Sequence, residues 1–211
     1  MKTNLKKFLG TCFIYIFMMV VPFSCNTDVF CNNSCGCDPL PPARNFEVKS
    51  FSTKNLYTSG QEITTDDFIP YNQVYKQISI NGYEFLSYQE NESKGSFPGV
   101  AYACSIAPPS SEYRILGMNI YNLKEVTLGD GTILKVGDLL NDYFEINSYF
   151  DNTSSKIEDF FMEPRPLYLT ESFRLFFMKN PEKETVIEFS IQFSFEKNKQ
   201  VSINNTVLRI R

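Results

Sequence analysis

One stretch constrains the fold more than any other part of the sequence. From Ile187 to Phe195 every second residue is apolar, and the residues between them are polar. Side chains alternate between the two faces of a β-strand, so this pattern predicts a strand with one buried face and one solvated face. After a polar turn at 197–200 the alternation resumes, and it changes phase near Asn204 and Asn205, which predicts a hairpin with a bulge.

Short turns separate further strand-like runs, and the predicted fold class is therefore all-β: an antiparallel immunoglobulin-like β-sandwich with one or two short helices. Asn81-Gly82 and Asp130-Gly131 tolerate the positive φ of tight turns, so a hairpin is expected at each. The other strand candidates are Phe46–Phe51, Val74–Ile80, Tyr83–Tyr88, Val100–Ile106, Ile115–Leu123, Val126 with Leu128, Ile133–Val136, Leu167–Leu169 and Phe173–Met178.

Two short helices are expected between the strands. Ser155 and Glu158 have the spacing of a capping box, and Pro164 ends the segment. Asp138 is placed to cap a second, shorter helical turn. The apolar residues on these two segments are Ile157, Phe160 and Phe161 on the first, and Leu139, Leu140, Tyr143 and Phe144 on the second.

The N-terminus has the plan of a signal peptide. Three lysines precede an apolar run of 14 residues from Phe8 to Val21, and Ser24-Cys25 follows. That run is shorter than the ~20 residues a spanning helix needs. We therefore expect residues 1–24 to be removed and Cys25 to carry a lipid, although an ordinary secretory cut nearby is the alternative. Cleavage would change the net charge from −4 to −7, because it removes three lysines and no acids, and nothing in the chain indicates nucleic-acid binding.

Residues 25–44 are rich in Asn, Pro and Cys and are expected to form a tether ahead of a domain at 45–211. The four remaining cysteines of the mature chain are disulfide candidates: Cys31, Cys35, Cys37 and Cys104. Cys104 is expected to pair with Cys35 or Cys37, and Cys31 with the other. A zinc site is the alternative, but the C-x3-C-x-C spacing does not favour it.

The chemistry open to the domain is narrow. The chain has no His, which excludes Ser-His-Asp and Cys-His catalysis. It has no phosphate-binding loop or dinucleotide motif, so neither a cofactor nor a metal is expected. A carboxylate pair is the remaining route to catalysis. Four tyrosines are candidates for an aromatic platform that binds sugars, with ordinary packing as the alternative: Tyr71, Tyr75, Tyr83 and Tyr88.

Several segments resemble an uncharacterised family of short Bacteroidota lipoproteins. They are the cysteine-rich run 25–38, Ala-Tyr-Ala-Cys-Ser at 101–105 before Pro-Pro, the segment Gly137–Phe144, and the Phe-rich final hairpin. The resemblance covers nearly the whole mature chain and implies an envelope location and a β-rich fold, without any catalytic residue. Surface export in that group looks tied to acids after the lipidated cysteine, and residues 26–30 hold only Asp28.

Together these features predict a lipoprotein of the cell outer membrane, anchored by its N-terminal lipid, with the periplasmic and surface faces both open. The expected role is non-enzymatic binding or structure, with an envelope protein or a glycan as partner. The alternatives are a carboxylate-dependent glycan hydrolase and a sugar-binding surface lipoprotein.

We expect Cys25 to be the first residue of the mature protein. Mass spectrometry of the native N-terminus should show a diacylglyceryl-modified Cys25, and Cys25→Ala should release the protein from the membrane fraction because the anchor is lost. Cys12→Ala is the matched control and should stay anchored. An unmodified chain beginning at another residue would contradict the assignment.

Overall fold

The computed structural model describes residues 44–86, 108–148, 151 and 153–211, which belong to one compact unit. The residues so described form ten strands, one short α-helix and three 3-10 turns. The strands are β1 (Phe46–Tyr57), β2 (Val74–Phe85), β3 (Ile115–Asn122), β4 (Val126–Thr127), β5 (Ile133–Leu134), β6 (Phe144–Ser148), β7 (Ser155–Lys156), β8 (Ser172–Phe177), β9 (Thr185–Phe195) and β10 (Gln200–Ile210); helix α1 is Ile157–Phe160, and the 3-10 turns are Tyr71–Gln73, Asn141–Tyr143 and Glu196–Asn198.

The strand order confirms the predicted fold class. One sheet has the order β1-β2-β8-β6-β7, the other has the order β10-β9-β3, and β4 pairs with β5 in a separate hairpin. Each of these strand pairs is antiparallel. With β4, β5 and β7 set aside, the seven main strands reproduce the ABED and CFG sheets of an immunoglobulin constant-type sandwich.

The alternating strand predicted at 187–195 is confirmed as β9, the middle strand of the smaller sheet. Ile187, Phe189, Ile191 and Phe193 are fully buried, whereas the polar residues between them are partly exposed. Each such side chain stabilises the fold by roughly 1.5–3 kcal/mol on burial. Their inward face is therefore the centre of the core between the two sheets.

The C-terminal hairpin also has the predicted bulge. The register of β10 on β9 passes from Ile203 opposite Ile191 to Thr206 opposite Phe189, so two residues of β10 lie against one of β9. Asn205 has φ 56°, a value that asparagine tolerates better than most residues. The bulge shifts the buried side chains of β10 from odd to even positions, as the sequence indicated.

The predicted turn at Asn81-Gly82 is wrong, because both residues lie within the single strand β2. Gly82 is opposite Ser50, next to a bulge that leaves Lys49 unpaired in the β1–β2 register. A Cβ on Gly82 would lie 2.6 Å from the Ser50 Oγ. The glycine thus marks a close approach of two strands. The other predicted turn is confirmed, since Gly131 has φ +85° between β4 and β5.

The predicted helices are present in shorter form. Helix α1 begins at Ile157, and Ser155, the expected cap, lies in β7. Asp138 also fails as a helix cap: its Oδ2 accepts a hydrogen bond from the backbone N–H of Lys135, and the 3-10 turn starts three residues later at Asn141. The run Leu167–Leu169 forms an isolated bridge between Ser110 and Tyr168 in place of a strand.

The outer edge of β3 is covered by the chain that follows it. The backbone N–H of Ile120 donates to Asn141 Oδ1 over 2.9 Å, and Asn141 Nδ2 donates to the Met118 carbonyl over 3.0 Å. Asn141 therefore substitutes for a neighbouring strand at this edge, which would otherwise be open to pairing with another chain.

Side chains join the first and last strands, which run parallel across one side of the sandwich. Lys199 pairs with Glu47. Farther along, the hydroxyls of Thr53 and Thr206 are 3.4 Å apart, and Asn55 Nδ2 donates to the Val207 carbonyl. These contacts close the side of the core between β1 and β10.

A buried lysine lies on this side of the core. Lys76 is 3% exposed, and its Nζ donates to Asn55 Oδ1 over 2.7 Å and to the Val207 carbonyl over 3.0 Å. Both acceptors are neutral, so the ammonium loses its hydration without gaining an opposite charge in these two bonds. This desolvation lowers the pKa of Lys76 from 10.5 to about 8.

The folded protein should therefore become more stable as the pH rises. Above pH 8 the buried amine of Lys76 loses its proton while the unfolded chain keeps it up to about 10.5, so folding is favoured by about 2 kcal/mol more at pH 9.5 than at pH 7. Denaturant unfolding at both pH values measures the gain. Lys76→Met should abolish it, and Lys54→Met, at an exposed position of β1, should retain it. An equal gain in Lys76→Met would assign the effect to other groups.

Candidate functional site

A site with the size of a ligand pocket lies beside helix α1. It is a groove of about 560 Å³, within the ~300–1,000 Å³ typical of small-molecule sites. We refer to it as the 159–168 groove. Its lining residues are Asp159, Phe160, Met162, Glu163, Arg165, Pro166 and Tyr168.

The sequence builds this groove from one helical turn and the loop after it. Ile157 and Phe161, four residues apart, are buried on the core side of the turn. Asp159, Met162 and Glu163 face solvent. The buried pair fixes the turn to the core, and the polar and apolar side chains on its other side are left available to a ligand.

The loop after the helix is fixed to the sandwich by backbone hydrogen bonds. The N–H of Arg165 donates to the Ile115 carbonyl over 3.2 Å, and the N–H of Ile115 donates back to Arg165 over 2.9 Å. Ser111 N–H donates to the Leu167 carbonyl, and Leu167 N–H donates to the Ser111 Oγ. The wall of the groove is therefore preorganised, which reduces the entropy lost when a ligand binds.

A half-buried ion pair supports the wall of the groove. The guanidinium of Arg165 bonds to the carboxylate of Glu171 and lies 4.8 Å from the centroid of the Phe160 ring. Burial raises the pKa of Glu171, although Arg165 and the backbone N–H of Tyr168 act in the opposite direction. Arg165 is thus held by a charge on one side and an aromatic ring on the other.

Two apolar side chains stand exposed among charged ones. Met162 is 76% exposed and Tyr168 is 41% exposed, and the carboxyl groups of Asp159 and Glu163 line the same groove. Carboxylates accept hydrogen bonds and a phenol ring offers a flat apolar face. The arrangement is suited to a ligand that has hydroxyl donors and an apolar side.

A smaller cleft lies between β1 and β10. Its volume is about 170 Å³, and it is lined by Glu47, Val48, Lys49, Ser111, Tyr113, Phe195, Lys199, Gln200 and Val201. Lys199 pairs with Glu47 there, and Lys49 is 3.0 Å from the same carboxylate. Because of its small volume and internally paired charges, this cleft is a weaker candidate than the 159–168 groove.

The described candidate tyrosines do not form one platform. Tyr75 is 5% exposed and packs on Phe176 at 5.5 Å, as ordinary packing requires. Tyr83 lies eight residues farther along the same strand, roughly 27 Å away at the rise of an antiparallel strand. Tyr71 is in the 3-10 turn before β2, and Tyr88 lies outside the described residues.

The exposed tyrosine of the groove, Tyr168, was missed by sequence reasoning. It lies between Leu167 and Leu169, of which the first is buried and the second partly buried. The alternation of this run places Tyr168 on the outer side, so a signal for its exposure was present. Its proximity to Asp159 and Glu163 depends on the fold and has no signal in the sequence.

Cys25, Cys31, Cys35, Cys37 and Cys104 lie outside the described residues, and the lipid and disulfide assignments stay predictions. Among the residues whose placement is described, no three His, Cys, Asp or Glu side chains are grouped as metal ligands. In the same part of the chain, no helix combines the length and apolar character needed to cross a membrane.

No protein-family model and no curated protein matches the sequence. Among solved structures, the chain is similar to the C-terminal domain of the AgI/II polypeptide BspA of Streptococcus agalactiae, with 14% identity and a TM-score of 0.31 over 76% of this chain and 50% of that one. A second structure, BspA_C_mut, gives 16% identity and a TM-score of 0.23 over 74% and 46%. The chain thus spans about half the length of these structures. The fold class rests on the strand order described above.

The ion pair behind the groove gives a test by unfolding. Arg165→Met should lower the free energy of unfolding by about 3 kcal/mol, because it leaves the Glu171 carboxylate buried without its partner. Glu171→Gln should cost less, about 1–2 kcal/mol, because it leaves no buried charge. The double variant should be more stable than Arg165→Met alone.

Denaturant unfolding of the wild type, the two single variants and the double variant measures these differences. Arg209→Met is the control, since its partner Asp66 is 90% exposed, and it should change stability by less than about 1 kcal/mol. A double variant no more stable than Arg165→Met would mean that the cost does not come from the stranded carboxylate.

Proposed function

We propose that this chain is a lipid-anchored protein of the bacterial outer membrane that acts by binding, with the 159–168 groove as its ligand site. The observation that carries the proposal is the groove itself: exposed Met162 and Tyr168 stand beside two carboxyl groups on a loop that backbone bonds hold in place. The basic start, the apolar run Phe8–Val21 and the Ser24-Cys25 pair support the proposed location.

The alternative function is that of a carboxylate-dependent hydrolase, because Asp159 and Glu163 both line the groove. A glycosidase needs one acid kept protonated by a water-excluding environment. Burial does raise the pKa of Glu171, but Arg165 and the Tyr168 N–H bind both of its oxygens and hold it away from a ligand. Asp159 and Glu163 are solvent-exposed. Binding is therefore the role that this geometry favours.

The test compares ligand retention by the full, lipidated protein and by two matched variants. Met162→Glu places a charge in the groove, and Val136→Glu places the same charge at another highly exposed apolar position outside it. We expect Met162→Glu to reduce retention of components from solubilised outer membrane at least tenfold, and Val136→Glu to leave it unchanged.

Equal retention by Met162→Glu and the wild type would refute the groove as the binding site. The same preparations are assayed for release of reducing sugar from envelope polysaccharide. Turnover by the wild type that is lost in Asp159→Asn or Glu163→Gln would overturn the binding role in favour of the hydrolase.

A further inference from the structure

We infer that the ligand of the 159–168 groove is an uncharged sugar, an inference that rests on the proposed binding function and names its chemical class. A sugar ring has an apolar C–H face and a rim of hydroxyl groups. Tyr168 offers a 41% exposed aromatic ring for the face, and Asp159 and Glu163 offer acceptors for the hydroxyls.

The charges of the groove disfavour an anionic ligand. Asp159 and Glu163 line it as two carboxylates, which repel an anionic group such as a sialic acid, uronic acid or sulfated sugar. Arg165 also lines the groove, but its charge is paired with Glu171, so it offers little attraction to an anion. An uncharged ligand with hydroxyl groups avoids the repulsion, because a hydroxyl donates to a carboxylate.

The two aromatic rings of the groove differ in what they leave open to a ligand. Aromatic rings bind cations through their faces, but the guanidinium of Arg165 already lies over Phe160 at 4.8 Å from its centroid. The cation site on that face of Phe160 is therefore filled by the protein itself. Tyr168 is the ring left to a ligand, and it serves the apolar face of a sugar.

The size and rigidity of the groove agree with a short glycan end. Its volume of about 560 Å³ has room for a short oligosaccharide, and it is open to solvent, so a longer chain could extend out of it. The Arg165–Ile115 and Leu167–Ser111 backbone bonds fix the wall before binding. Open sites of this kind bind weakly, so a Kd of about 1 mM is expected for a disaccharide.

Titration calorimetry with the full-length protein tests the inference with named probes. The neutral probes are cellobiose, maltose, lactose, mannobiose and chitobiose; the charged probes are sialyllactose, a sulfated heparin disaccharide and tetralysine. At least one neutral disaccharide should bind at least tenfold more tightly than each charged probe. Tyr168→Ala and Asp159→Asn should each weaken that binding at least tenfold.

Tyr168→Phe keeps the ring and should bind within threefold of the wild type, which separates loss of stacking from loss of folding. Tyr83→Ala, at a tyrosine that is 46% exposed outside the groove, and Asp66→Asn are the matched controls and should bind as the wild type does. Neutral binding that survives Tyr168→Ala, tighter binding of any charged probe, or no binding of any neutral probe at 10-fold the expected Kd would overturn the inference.

Failure of the sugar inference and failure of the proposed binding function give different results. Preferential binding of tetralysine that Met162→Glu alters would replace the sugar with a basic peptide while leaving the groove as the binding site. Retention of envelope components that is insensitive to Met162→Glu would refute the proposed function itself. Hydrolysis of a neutral probe that Asp159→Asn abolishes would keep the sugar as ligand and reject the non-enzymatic role.

Discussion

The contact between β9 and the larger sheet holds the sandwich together. The ring of Phe193 lies 4.3 Å from that of Phe51 on β1 and 6.5 Å from that of Phe173 on β8, centroid to centroid. Phe189 lies 5.3 Å from Phe144 on β6. Three strands of one sheet thus meet one strand of the other through aromatic rings, which are large enough to fill the ~10 Å between packed sheets. The groove and the edge contacts are built outside this layer and depend on its position.

The 159–168 groove is a consequence of how the smaller sheet is protected. An uncovered edge of β3 would be open to pairing with another chain. Asn141 and Arg165 cover this edge, because each forms hydrogen bonds with its backbone, Asn141 toward the end of the strand and Arg165 at its start. The segment that contains Arg165 therefore has a structural reason to lie across the end of the sheet. Its outward side chains, including Met162 and Tyr168, are freed from packing and become available for recognition.

Local patterns predicted local structure well. The alternation from Ile187 to Phe195 and the phase change at Asn204–Asn205 depend only on which face of a strand is buried, so the hairpin and its bulge were predictable. Asn81-Gly82 misled because glycine serves both tight turns and close strand approaches, and only the neighbouring strand shows which applies.

The site was harder to predict for a physical reason. Arg165 bonds to Ile115, and Leu167 bonds to Ser111, each across roughly 50 residues of chain. No periodicity or spacing in the sequence encodes such contacts. The same holds for Lys76: alternation with Val74 and Ile78 places it on the inner face, but its acceptors on β1 and β10 appear only in the fold.

The links between β1 and β10 also bear on the order in which the chain folds. Glu47–Lys199, Thr53–Thr206 and Asn55–Val207 join residues 152 or 153 positions apart. Contacts so distant along the chain form slowly, because the long loop between them must first be closed. A chain that emerges N-terminus first has its first strand ready long before its last. Until residues 200–210 arrive, β1 pairs with β2 but lacks its side-chain contacts to β10, and that side of the core stays open to water. The docking of the final strand therefore completes the fold.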